Sequence, residues 1–182
     1  MFARTPRLLL RPGFPEDAPA LAHAIADEAI VRNLSVVPWP YTVRDAEAFL
    51  AGPRDPVLPS FLIFERTDGA PQLVGSCGLG RRRSGAVELG YWIARACWGR
   101  GLASEAGRAL IDIARTLRLA RIEASHFIDN PASARVLDKL GFESTGIVAP
   151  RMNCARGEEV PARLMRLRLA AGVAKKEEAL AA

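Results

Sequence analysis

The sequence predicts an α+β (mixed α/β) fold in which helices flank a central mixed β-sheet. Three observations lead there. Residues 88–117, ELGYWIARACWGRGLASEAGRALIDIARTL, read as a strand, a glycine-bearing turn and a helix, and RIEASHF at 121–127 follows as another strand. A strand–helix–strand unit makes a locally parallel pair, because the crossover helix brings the chain back in the same direction. Upstream, three segments of period two are separated by the turn signals Asp68-Gly69 and Ser84-Gly85, which mark an antiparallel meander. Other segments carry apolar residues at helical spacing.

Taken in order, RLLLR at 7–11 is a short first strand. Gly13, Pro15 and the Glu16-Asp17 pair interrupt it, and Asp17 is placed to cap a helix reaching to about residue 30, with Leu21, Ile25, Ala29 and Ile30 on its apolar face. Pro38-Trp39-Pro40-Tyr41 forms a rigid aromatic loop. Thr42 then caps a second helix whose Ala46, Phe49 and Leu50 are expected to face inward, and Gly52-Pro53 ends it. Strands are expected at 61–66, 72–80 and 86–93. After the central helix and the strand at 121–127, Asp129-Asn130-Pro131 opens another helix with Val136, Leu137 and Leu140 as its apolar side. Gly141 stops it, Phe142 begins another strand, and residues 160–169 form the last one.

A length of 182 residues suits a single domain, expected over residues 1–169, with an alanine-rich tail at 170–182 expected to be flexible. Apolar residues make up 49% of the chain, which excludes general disorder. Runs such as Leu8-Leu9-Leu10 are far shorter than the ~18 residues that span a bilayer. The N-terminus lacks a sustained apolar segment of the secretory kind, so a cytoplasmic location is expected. Cys77, Cys97 and Cys154 are odd in number and widely spaced, which argues against a disulfide framework and against zinc; no metal site is expected. The formal charge is +5. The one dense basic run, Arg81-Arg82-Arg83, lies between strand-like segments where a solvated turn is expected, and the chain lacks an aromatic-basic pattern for nucleic acid.

The chemically informative stretch is Trp98-Gly99-Arg100-Gly101-Leu102-Ala103. Two glycines one residue apart free the backbone of Cβ groups where it enters a helix, so successive N–H groups can face an anion such as a pyrophosphate. A plain strand-to-helix turn using glycine for geometry is the other reading. Glu105 near the start of that helix and Arg115 near its end suit the helix dipole in either case.

Four blocks in order carry a resemblance to a known family: TPRLLLR at 5–11, ELGYWI at 88–93, WGRGLASEA at 98–106 and NPASARVLDKLGF at 130–142. Together they resemble the GNAT superfamily of acyl-CoA-dependent N-acetyltransferases, in particular the branch of ribosomal-protein N-terminal acetyltransferases, over nearly the whole chain. The resemblance implies a three-layer fold with a splayed strand pair in the central sheet. It implies acetyl-CoA as co-substrate, its pyrophosphate held by the backbone amides of Gly99, Arg100, Gly101, Leu102, Ala103 and Ser104, with Arg100 adding charge. By the same resemblance Ile93, Ala94 and Arg95 fall where backbone meets pantetheine, and Asn130 falls at a pantetheine-side position, where it also suits a helix cap. Trp98 stands where many members carry Gln or Arg, and Leu137 stands where many carry a tyrosine that protonates the departing thiolate. Ser133, one turn earlier, can supply a hydroxyl instead or can be structural. Trp39 and Tyr41 lie, by resemblance, near the acceptor groove, with helix packing as the other reading.

Acyl transfer to an amine needs a route for the amine's proton and donors for the developing oxyanion. Glu88, on the strand leading to the glycine turn, is the first candidate base, and an ion pair with an arginine is its alternative use. Glu123 and His126 lie on the next strand with opposite facing. Cys97 has no histidine at partner spacing, so direct transfer in a ternary complex fits better than a covalent acyl-enzyme. The implied activity is N-acetylation of a primary amine, with a protein or peptide N-terminus as first acceptor and a small amine, such as an antibiotic or a polyamine, as the second. A non-catalytic CoA-binding module is a third reading, motivated by Leu137. A homodimer is an admissible assembly.

Overall fold

The structure is a computed structural model that describes residues 1–82 and 84–169. The tail expected at 170–182 lies outside the described residues. Eight strands form one mixed sheet: β1 (Ala3–Arg4), β2 (Leu8–Arg11), β3 (Ser60–Glu65), β4 (Gln72–Arg81), β5 (Val87–Ile93), β6 (Arg121–Phe127), β7 (Glu143–Asn153) and β8 (Glu158–Arg168). Their spatial order is β1-β2-β3-β4-β5-β6-β8-β7, antiparallel throughout except for β5 against β6. The parallel pair follows from the crossover through α4 (Leu102–Thr116), as the sequence predicts.

Helices cover both faces. Alternation along β3 decides which: Phe61 and Ile63 point to the core under α4 and α5 (Pro131–Lys139), while Leu62 and Phe64 pack under α1 (Ala18–Ile25) and α3 (Val43–Ala51). Both sides of β3 are therefore buried, and its sequence reads as a continuous apolar run. On β5 the same rule sends Leu89 and Ile93 to the α4/α5 side and Trp92 to the α1/α3 side.

The central feature is a divergence of the parallel pair. Seven residues of β5 have register partners on β4, whereas Glu88↔Glu123 is the single register pair between β5 and β6. Beyond Glu88 the two strands part, which leaves backbone edges and a cleft between them. The meander, the central helix and the parallel pair match expectation; several local features differ.

The first helix is broken. Ala26 leaves helical geometry at ψ 61, and Asp27 starts a short α2 (Glu28–Val31) by accepting a hydrogen bond from the Ala29 N–H at 2.8 Å. Asp17 does not cap α1 through its side chain. Its carboxylate accepts two 2.7 Å hydrogen bonds from the Arg11 guanidinium and one from the Phe14 N–H. Phe49 points outward and is 50% exposed, because the inward stripe of α3 is narrower than the spacing suggests and runs through Ala46 and Leu50. Thr42 caps α3 in a capping box with Asp45. Strand β1 was not expected: two residues are too few to carry a periodic signal. The last strand begins at Glu158 rather than at Val160.

Candidate functional site

The glycine turn ends in α4, and its conformation is left-handed at two points: Gly99 has φ +75 and Gly101 φ +79. A Cβ at Gly99 would meet nothing within 4 Å, and one at Gly101 would meet only the Arg7 Nη2 atom at 3.7 Å. Conformation rather than crowding is what demands glycine here. Among the described residues, none of the six backbone N–H groups from Gly99 to Ser104 has a protein acceptor. They sit at the positive end of a 15-residue helix and form a cradle suited to a phosphate or pyrophosphate.

Side chains from elsewhere fix this turn. Glu105 accepts hydrogen bonds from the Thr5 hydroxyl at 2.6 Å, the Arg7 N–H at 2.9 Å and the Arg7 Nε at 2.7 Å. Arg7 in turn donates to the Arg100 carbonyl at 2.9 Å, clamping the turn from its outer side. Burial pushes the Glu105 carboxyl up, but the hydrogen bonds from Thr5 and Arg7 outweigh it and hold the group below its ordinary range. Glu105 is thus an anchor and not merely a charge placed to suit the dipole. Arg100 points away from the cradle and forms a two-pronged ion pair with Glu65 on β3. Its charge is engaged there rather than offered to an anion.

A continuous cleft of about 1540 Å³ runs from the cradle between the diverging strands to Glu88. Its lining takes in Gly99, Gly101, Leu102, Ala103 and Ser104, then Ile93, Asn130 and Ser133, then Glu88 and Tyr41. Of the cofactor, acceptor and base candidates named from the sequence, Ala94, Arg95, Arg100, Trp39 and Glu123 are not part of that lining. Ala94 donates its N–H to the Val74 carbonyl at 2.8 Å, and Arg95 lies outward beside Asp27 and over the Trp98 ring. Trp98 donates its indole N–H to the Ile93 carbonyl at 2.7 Å, so the residue replacing the family's polar first position braces the end of β5. Trp39 is 41% exposed at the tip of its loop. Tyr41 is half-buried against α1–α3, and burial pushes its phenol up to about 12.

Glu88 lies at the inner end of the cleft. It accepts from the Ser125 hydroxyl at 3.0 Å and pairs with Arg82 and Arg151, each at 3.0 Å. Burial pushes its carboxyl above the ordinary range, against the pull of Arg82 and Ser125; the neighbouring Glu123 adds to the rise. Arg82 is therefore engaged with Glu88, not left in a solvated turn. Glu123 is held by Arg166 at 3.1 Å, and the buried His126 shares a 2.8 Å hydrogen bond between Nδ1 and the Phe127 carbonyl. Cys97 lines the cleft.

Asn130 performs the cap role: its Oδ1 accepts from the Ser133 N–H at 3.1 Å. Its Nδ2 has no acceptor among the described residues, and the residue lines the cleft. Leu137, in the place of the family's tyrosine, is 1% exposed and belongs to the core. The phenol nearest to α5 comes instead from β5, where the Tyr91 hydroxyl lies 2.9 Å from Ser133 Oγ. Sequence reading assigned Tyr91 to the strand only. Its period-two position shared with Leu89 and Ile93, on the face toward α5, was the available signal.

Among the described residues no helix is long and apolar enough to cross a membrane, and no cluster of His, Cys, Asp and Glu is arranged to hold a metal ion.

The sequence matches the acetyltransferase (GNAT) domain family over residues 7–143. It is 32% identical over 152 residues to the uncharacterized N-acetyltransferase p20 of Bacillus licheniformis, covering 79% of this chain and 83% of that one. Among solved structures, RimL, a ribosomal L7/L12 alpha-N-protein acetyltransferase in complex with coenzyme A, superposes with a TM-score of 0.78 at 19% identity, over 94% of this chain and 99% of that one. The Salmonella typhimurium acetyl transferase that modifies the N-terminal serine of the same ribosomal protein superposes with a TM-score of 0.74 at 20% identity, over 91% and 96%. At these identities the two structures speak to the fold. The family match over most of the chain and the N-acetyltransferase relative show that the chain belongs to the GNAT family and is an acetyl-CoA-dependent N-acetyltransferase.

Proposed function

We propose that this enzyme acetylates the free N-terminal amine of a peptide or protein, using the cleft between β5 and β6. The observation that carries the reading is the size and continuity of that cleft. At about 1540 Å³ it exceeds the 300–1,000 Å³ of an ordinary small-molecule pocket, and its lining also takes in Leu34–Pro38, Tyr41 and Phe49. Such a cleft has room for a cofactor arm and for an extended acceptor. The fold shared with two ribosomal-protein N-terminal acetyltransferases supports the same acceptor class.

Acetyl-CoA supplies the activated acyl group, as a thioester. The Gly99–Ser104 amides bind the pyrophosphate and orient the arm, which Ile93 and the Asn130 Nδ2 flank between the strands. Ser133 turns a hydroxyl toward the departing sulfur. Glu88, held in place by Arg82, Arg151 and Ser125, takes the amine's proton. The two guanidinium groups beside it disfavour an ammonium ion and so favour the neutral, nucleophilic amine.

The test is a panel of peptides with free N-termini set against polyamines and aminoglycosides, followed by thiol release. The reading expects kcat/KM for the best peptide to exceed that for any small amine by about tenfold or more, with the acetyl group on the α-amine by mass spectrometry. Preferred turnover of a small amine would overturn the acceptor class.

A further inference from the structure

Two hydroxyl groups meet in the cleft from residues 42 positions apart. The Tyr91 phenol oxygen lies 2.9 Å from Ser133 Oγ, and both residues line the cleft and are partly exposed to it. Either hydroxyl can be the donor in this contact. The phenol also lies 3.5 Å from the Ser133 carbonyl oxygen, an atom that only accepts. Both acceptors near the phenol belong to Ser133, so the phenol hydrogen is directed there. Burial pushes the phenol up to about 12, which keeps that hydrogen in place at neutral pH. The backbone of Ser133 is fixed as well, through its N–H to Asn130 Oδ1. In the arrangement where the nearer serine oxygen accepts from Tyr91, the serine's own hydrogen is left to face the cleft. Among the α5 residues lining the cleft, Ser133 is the one with a neutral hydroxyl.

We propose that Tyr91 is a positioning residue that sets the Ser133 hydroxyl as a fixed hydrogen-bond donor to the cofactor's sulfur. This rests on the acetyl-CoA reading above. In the step it serves, the amine nitrogen bonds to the acetyl carbon, the carbon–sulfur bond breaks and its electron pair stays on sulfur. The amine's proton passes to Glu88. The thiolate leaves stabilised by the Ser133 O–H and takes a proton from water after departure, so no proton is lost from Tyr91 or Ser133. A donor that favours the thiolate over the thiol also lowers the pH at which bound CoA ionises.

That last consequence permits a test that needs no knowledge of the acceptor. CoA bound to the full chain is titrated while thiolate absorbance is followed, for the wild type, Tyr91→Phe, Ser133→Ala and the double variant. The phenylalanine keeps the ring and removes one oxygen. The expectation is a bound thiol that ionises about one pH unit below free CoA in the wild type, returning most of the way in each single variant and no further in the double. CoA affinity at low pH stays within about threefold, as a role in sulfur stabilisation alone requires. Glu88 on β5, His126 on β6, Arg135 and Lys139 on α5, Arg151 on β7 and Cys97 in the turn line the same cleft and are common to all four proteins. Their influence therefore cancels in the comparison. In the transfer assay Tyr91→Phe should lower kcat about tenfold without raising KM for acetyl-CoA, and a thioester of a less basic thiol should narrow that gap. An unchanged titration in Tyr91→Phe, or an affinity loss as large as the shift, would overturn the assignment while leaving the acetyltransferase reading intact. Failure of the wild type to bind CoA at all would overturn both.

Discussion

Replacing Gly101 by alanine separates the backbone cradle from every side-chain contribution to the site. At φ +79 the residue is left-handed, a conformation that costs a Cβ-bearing residue about 1–2 kcal/mol. The new Cβ meets no atom closer than the Arg7 Nη2 at 3.7 Å, so the fold accepts it. For a chain of this size 1 kcal/mol corresponds to roughly 2–4 °C in Tm, which places the expected decrease at about 2–8 °C. The strain is relieved by rotation of the peptides on either side of residue 101. That rotation is expected to turn the Gly101 and Leu102 N–H groups out of the cradle. Each hydrogen bond to a charged group contributes about 1.5–3 kcal/mol, so loss of one or two weakens CoA binding by roughly 10- to 100-fold or more. Isothermal titration with CoA, paired with a thermal melt, reads both numbers. A lowered Tm with unchanged CoA affinity would show that the turn is strained glycine geometry and nothing more, and would remove it from the site.

Three other outcomes follow from the same structure. Arg100→Ala should leave CoA affinity within about threefold, since the guanidinium is tied to Glu65 and exposed; a tenfold loss by titration would mean that Arg100 leaves Glu65 to meet the phosphates. Glu88→Gln should slow transfer at least tenfold with near-normal CoA affinity, and should flatten the acidic limb of the rate profile. That limb belongs above the ordinary 4.5, because burial raises the Glu88 carboxyl and a base works only when deprotonated; an unchanged profile would assign the proton to another group or to water. Stability should fall as the pH drops below about 4, because Asp17 and Glu105 are held below their ordinary values when folded. Their contribution is complete above the unfolded pKa and is lost as pH falls through the folded one. Urea midpoints from about pH 6 to pH 3 measure it, and Asp17→Asn should remove part of the slope.

The fold was legible where one period dominates over a sufficient length. The meander, the crossover helix and the strand at 121–127 were placed within a residue or two, because turn glycines bound them and alternation or helical spacing continues throughout. The break in the first helix was not legible: Ala26 and Asp27 have no strong local signal, and a cap at Asp27 competes with an apolar stripe that continues to Ile30. The cradle could be read because it is backbone chemistry encoded by two glycines one residue apart. Side-chain partnerships across the sheet could not. Arg151 reaches Glu88 from β7, and Glu105 meets Thr5 and Arg7 from the far end of the chain, pairings that depend on strand order rather than on spacing. Tyr91 and Ser133 are the same case, two ordinary residues made a pair by the packing of α5 over β5.

The central claim, that the turn before α4 holds the CoA pyrophosphate by its backbone, is tested most directly at the amides themselves. Hydrogen exchange at residues 99–104 should be fast in the free protein, where these N–H groups have no protein acceptor, and should slow markedly when CoA saturates the chain. Saturating CoA that leaves exchange at these six amides unchanged, while protecting another segment, would contradict it.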